Sequence, residues 1–183
     1  MFRGMRYTNS FSHFGWLKLF LFFLMLLPWL AACNSNAAPT SAPLTEFNQN
    51  GVTVRIVLEQ DVHGGTALTA TFTPDEEDAH LYSMDLPLEG VDGLGRPTRL
   101  ALAPGTSLQA SGDLQTAAVA ESIIVAPDLP PLPVYPAGPV VLRLPVQLPE
   151  STRLEQVLVT YMACSPRGCY RPVIEKAVDI QLP

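Results

Sequence analysis

Apolar and polar residues alternate along most of this chain with the period of an extended strand, not of a helix. Val52-Thr53-Val54-Arg55-Ile56-Val57-Leu58 and Ala67-Leu68-Thr69-Ala70-Thr71-Phe72 are β-rich runs on either side of a turn at His63-Gly64-Gly65. Further strand-type runs cover residues 80–84, 98–102, 122–125, 140–148, 154–163 and 173–182. Residues two apart in such a run share a face, so each run can turn an apolar face to a core and a polar face to water. Short strands separated by Pro and Gly turn signals predict an all-β sandwich. No long segment carries helical spacing, and 18 prolines in the chain oppose long helices.

The N-terminus breaks the pattern. Arg3, Arg6 and Lys18 precede nine uninterrupted apolar residues, 19–27, and Leu30-Ala31-Ala32-Cys33 follows at once. A positive segment, a short apolar core and small residues at a cut site make a secretory signal. The run is too short for a bilayer core, which needs about 20 apolar residues. A cysteine directly after the small residues resembles a bacterial lipoprotein signal, and that resemblance implies a lipid on Cys33 as the first mature residue. The expected organisation is a signal at 1–32, a flexible tether at 33–44 and one β-sandwich domain at 45–183. The tether is small, polar and Pro-containing.

Charge then narrows the partners. The whole chain carries a net −6, and residues 1–32 hold three of its Lys and Arg and no acid. The 151 residues that remain after the signal therefore carry −9, enough chain for one domain with a full core. Such a balance argues against nucleic acid and against electrostatic docking on anionic lipid, so membrane attachment falls to the lipid on Cys33. Residues 90–95 lack both the spacing and the following helix of a phosphate-binding glycine loop.

Beyond Cys33 two cysteines remain, Cys164 and Cys169, separated by Ser165-Pro166-Arg167-Gly168. β-rich runs lie on both sides, so the segment reads as a hairpin with a four-residue connection. Residues flanking such a loop face each other with Cβ atoms about 4.5–5.5 Å apart, close to the ~3.8 Å of a disulfide. An even pair in an oxidising compartment is expected to bond. Three readings of the pair stand side by side. A structural staple would close a ring of about six residues, worth roughly 2 kcal/mol in the chain-entropy model. A metal site lacks ligands, since two thiolates fall short of the four of structural zinc, although Met162 is a ligand type that suits copper(I). A redox pair suits a small ring in an exposed loop, with Arg167 and Arg171 able to favour a thiolate.

Two other segments stand out. Asp75-Glu76-Glu77-Asp78 is acidic but lacks the glycine and terminal glutamate of a calcium loop, and reads as a solvated turn. Residues 127–139 hold six prolines and one aromatic, Tyr135. They read as an extended connector or edge segment unable to add a ladder partner; the sharper reading is a stiff loop that holds Tyr135 over something.

Residues from about 79 to 182 resemble the N-terminal periplasmic domain of the thiol:disulfide interchange protein DsbD. His80-Leu81-Tyr82-Ser83 with Gly95-Arg96-Pro97-Thr98, then Leu144-Pro145-Val146, then Val159-Thr160-Tyr161-x-x-Cys164-x4-Cys169-Tyr170-x-Pro172 carry the resemblance. It implies an immunoglobulin-like sandwich whose cysteines, Cys164 and Cys169, exchange electrons by dithiol/disulfide chemistry. Tyr161, Arg167, Tyr170, Arg171 and Pro172 flank that redox loop, and Arg171 stands where the family usually has proline. The loop is also one residue shorter than in the best-known members. The family's aromatic cap, which shields the disulfide, falls at about Val134 and Tyr135, and the ring of Tyr135 is expected within about 4–4.5 Å of a cysteine. Such exchange needs no tightly bound cofactor and no metal. The chain carries neither the membrane-embedded electron carrier nor the thioredoxin-like domain of the family. The implied partners are a separate membrane electron donor and thioredoxin-like or other extracytoplasmic thiol proteins. If the chain is an enzyme, it is a protein-disulfide reductase. The alternative from another class is a non-catalytic immunoglobulin-like binding or assembly lipoprotein with a structural disulfide.

Overall fold

The computed structural model describes residues 42–60, 64–124, 127–128, 130–151 and 153–183. The signal segment, Cys33, most of the tether, His63 and Val125 lie outside the described residues. Within them the chain forms strands and no helix. One sheet joins β1 (Thr45–Gln49), β2 (Val52–Gln60), β3 (Thr66–Pro74), β10 (Val140–Gln147) and β6 (Gln109–Ala110) in that order, and β7 (Gln115–Thr116) also pairs with β10. A second sheet has the order β14 (Val173–Gln181), β11 (Leu154–Tyr161), β5 (Arg99–Leu102). Alternation explains both. Val52, Val54 and Ile56 of β2 and Val140, Leu142, Leu144 and Val146 of β10 are buried, while the residues between them are less so. They share one apolar cluster with Val157, Val159 and Tyr161 of β11 and with Val178 and Ile180 of β14. Two faces that each hide one side from water make a sandwich.

Two small sheets complete the fold. β12 (Ala163–Ser165) lies between β13 (Gly168–Cys169) and β4 (His80–Leu81). β8 (Glu121–Ile123) pairs with β9 (Leu132–Val134). The Pro-rich segment is thus no unpaired connector or edge. On its other side, Ser83 donates to the Pro133 carbonyl at 2.9 Å and Tyr135 donates to the Leu81 carbonyl at 2.8 Å. Pro133 lacks an N–H but keeps an acceptor, which is all this position uses.

Three local departures from the alternation shape the cysteine end. β1 precedes the first expected strand, and its turn to β2 is Asn50-Gly51, both in the left-handed region (φ 49° and 74°). That is the two-residue turn whose twist matches a hairpin. In β14, Glu175 also has positive φ, 44°, and its N–H goes to the Thr160 hydroxyl at 2.9 Å where the β11–β14 register shifts. An extra residue in one strand bends it, here in β14 just after the cysteines. The cysteine hairpin is tighter than expected: Ser165 pairs with Gly168, so only Pro166 and Arg167 form the connection.

Candidate functional site

Cys164 and Cys169 are direct ladder partners, their Cα atoms 4.0 Å apart, and their sulfurs are bonded. The two sulfurs meet different surroundings. Cys164 is 3% exposed and belongs to a small apolar cluster of its own with Tyr82, Leu86, Leu132 and Val134. Cys169 is exposed and lines a shallow depression with Glu76, Ser165, Arg167, Gly168 and Tyr170. Position in the sheet accounts for the difference, since β12, which carries Cys164, is flanked on both sides while β13, which carries Cys169, lies at the outer edge of the three-stranded sheet.

Tyr82 is the aromatic at the buried sulfur. Its hydroxyl lies 3.5 Å from Cys164 Sγ, and burial raises its pKa. The segments that carry the family resemblance support this ring. Gly95, at φ 72°, leaves room where a Cβ would stand 3.0 Å from Tyr82 carbons, and the Thr98 hydroxyl donates to the Tyr82 carbonyl at 2.7 Å. His80, the ladder partner of Cys164, sets its ring edge-on to Tyr82 with centroids 5.6 Å apart. Its Nε2 is buried without a hydrogen-bond partner, and burial lowers its pKa.

Val134 and Tyr135 part company. Val134 joins the cluster around Cys164. Tyr135 packs instead in the main core, and its hydroxyl accepts from the Met84 N–H at 3.1 Å. Neighbouring residues of an extended chain point to opposite sides, so only one of the two can face the disulfide. The ring expected over a cysteine from position 135 is therefore supplied by Tyr82, and the Pro-rich segment contributes Leu132 and Val134. The place of Tyr82 at the sulfur was not among the expectations; its spacing of two from His80, the ladder partner of Cys164, is the signal the sequence carries for it.

The flanking residues divide in the same way. Tyr161 faces the core, edge-on to Phe72 at 5.7 Å, and its hydroxyl donates to the Gln49 carbonyl at 3.0 Å. Burial, helped by the charge of Asp75, pushes its pKa up to about 12. Arg167 turns to the acidic turn instead: Nε and Nη2 donate to Glu76 Oε2 at 3.2 and 2.8 Å, and Nη2 also reaches Asp78 Oδ1 at 3.2 Å. Tyr170 donates to Glu76 Oε1 at 2.9 Å. The acidic stretch 75–78 is thus more than a solvated turn. Hydrogen bonds from Ser165, Arg167 and Tyr170 bring the Glu76 pKa down to about 2. The Arg171 carbonyl accepts from Asn50 Nδ2 at 2.9 Å, and Pro172 leads into β14. Among the described residues, no group of three or more His, Cys, Asp or Glu converges as a metal site.

No known family profile matches this chain, and no curated protein matches it. Solved structures do. The N-terminal periplasmic domain of ScsB from Proteus mirabilis aligns over 78% of this chain and 52% of that chain, with TM-score 0.51 and 14% identity. The DsbD N-terminal domain of Neisseria meningitidis, in its reduced form, aligns over 72% of this chain and 84% of that chain, with TM-score 0.46 and 13% identity. The chain spans about half the length of the ScsB structure. What it shares with the ScsB domain is the fold, an all-β, immunoglobulin-like sandwich.

Proposed function

We propose that this chain is an extracytoplasmic thiol:disulfide exchange domain, anchored to a bacterial membrane by a lipid on Cys33 and acting through Cys164 and Cys169. The observation that carries the reading is the unequal pair: one disulfide with Cys169 open to a partner and Cys164 enclosed by its own apolar cluster. A structural staple has no use for that inequality. Exchange does, because attack on the exposed sulfur expels the buried one.

A donor thiolate attacks Cys169 Sγ, a mixed disulfide forms, and Cys164 leaves as a thiolate beside the Tyr82 hydroxyl, 3.5 Å away. The donor's second thiolate then attacks its own sulfur in the mixed disulfide and releases Cys169. Two electrons have passed from the donor dithiol to the pair. In the outward step Cys169 attacks an acceptor disulfide, and Cys164 resolves the mixed disulfide so that the starting bond returns. The partners are a membrane electron donor and thioredoxin-like or other extracytoplasmic thiol proteins. The fold shared with a periplasmic domain supports the compartment, as do the signal features of residues 1–33.

The reduction potential of the pair tests the reading. An exchanging pair is expected above about −300 mV; a value below that belongs to an inert structural bond. Incorporation of labelled fatty acid into the full chain, absent in Cys33→Ala, tests the anchor.

A further inference from the structure

The loop that carries the exposed sulfur is held from outside, by one carboxylate. Glu76, in the turn after β3, accepts from Arg167 on one side of Cys169 and from Tyr170 on the other. Asp78 adds a second acceptor for Arg167. The turn that presents Glu76 is itself fixed. Asp75 N–H donates to the Gly51 carbonyl at 2.9 Å, and Asn48 Nδ2 donates to the Asp75 carboxylate at 2.8 and 3.1 Å. Gly51 then supports the other face of Tyr170, where a Cβ would stand 2.6 Å from ring carbons. Asn50 holds the Arg171 carbonyl. The acidic turn and the Asn-Gly turn together make a cradle around residues 165–171.

We propose that Glu76 is a positioning residue for the disulfide. Its carboxylate keeps Cys169 opposite Cys164 and thereby shifts the dithiol/disulfide equilibrium toward the bond. The physical argument is one of linkage. Without the cradle, a reduced loop with Gly168 at φ 134° and a two-residue connection is free to move its sulfur away, and closing the bond must recover that lost order. Contacts made better in the closed form stabilise the bond by as much as the bond stabilises them. A charge-assisted set in which Arg167 and Tyr170, on either side of Cys169, share the Glu76 carboxylate is well suited to this. The use of this bias in electron transfer rests on the exchange reading; the bias itself needs no partner.

The test is equilibration with a glutathione or dithiothreitol redox buffer. Two buffer thiols reduce the disulfide to Cys164 and Cys169 thiols and become a disulfide themselves, so the ratio of protein forms gives the constant directly. For Glu76→Gln the constant is expected to move about tenfold toward the dithiol, which corresponds to about 30 mV. Arg167→Gln should move it the same way by a smaller factor. Arg167 has a side chain 68% exposed, so this variant does not depend on a delicate core. A constant for Arg167→Gln equal to that of the unaltered protein overturns the proposal, whether or not Glu76→Gln folds. The exchange reading is judged separately, by the absolute potential of the unaltered protein. Either idea can fail while the other stands.

Discussion

Strand β11 ends in two different worlds, and each end is organised by a carboxylate that captures a distant loop. At its start, Glu155 is 6% exposed and accepts from the Thr106 hydroxyl at 2.5 Å, the Ser107 N–H at 2.8 Å and the Ser107 hydroxyl. Those hydrogen bonds from Ser107 and Thr106 lower its pKa. Beyond its far end, Glu76 accepts from Arg167 and Tyr170. The donors at Glu155 are short and neutral, which suits a site closed to water. Those at Glu76 include a guanidinium on a long stem and hold a loop in contact with solvent. The first arrangement closes a loop on which no reactive group sits; the second governs the freedom of a sulfur. Similar hydrogen-bond chemistry thus serves stability at one end and reactivity at the other, and the two should separate experimentally.

The largest expected effect is at the quiet end. Glu155→Ala leaves the half-buried donors of Thr106 and Ser107 without their acceptor and should cost about 2 kcal/mol in denaturant unfolding, with the dithiol/disulfide constant unmoved. A change in that constant would break the separation of the two ends. Gly51→Ala comes next. It combines positive φ with a clash against the Tyr170 ring and should lose about 1 kcal/mol, while also shifting the disulfide constant toward the dithiol. A loss of stability with no redox shift would remove the Asn-Gly turn from the cradle.

Tyr82→Phe deletes the hydroxyl 3.5 Å from Cys164 Sγ and leaves the ring to pack. Stability should change by less than about 1 kcal/mol. In the reduced protein the Cys164 thiol should titrate at higher pH, because a donor to its thiolate is lost; alkylation rate against pH measures this. The smallest effect is in acid. The Glu76 pKa falls on folding, from an ordinary 4.5 to about 2, so its contribution is fully present above pH 4.5 and is lost as pH falls through about 2. Between those values the unaltered protein should lose more stability than Glu76→Gln does. Parallel acid-unfolding curves would show that the clamp is not ionic.

Strands β2, β3, β5, β10, β11 and β14 were legible because a strand between a core and water writes its burial into alternate residues, as β2 and β10 do, whereas the two-residue strands β6 and β7 are too short to show a period. β1 was not, because an edge strand reading Thr-Glu-Phe-Asn-Gln buries little, although Asn50-Gly51 marked its turn. β9 escaped because the Pro-rich stretch around it suggests a connector, and only the tertiary fold shows that the Pro133 carbonyl has a donor in Ser83. The cysteine hairpin is local, so sequence alone determined which residues bond and that they lie on facing strands. Tertiary structure decided everything that distinguishes the two sulfurs. Tyr82 reaches Cys164 across 82 positions, Glu76 reaches Arg167 across 91, and Asn50 reaches Arg171 across 121. No periodicity records such pairs, since they depend on how the sheets and turns stack, and stacking is fixed by the whole core rather than by any one segment.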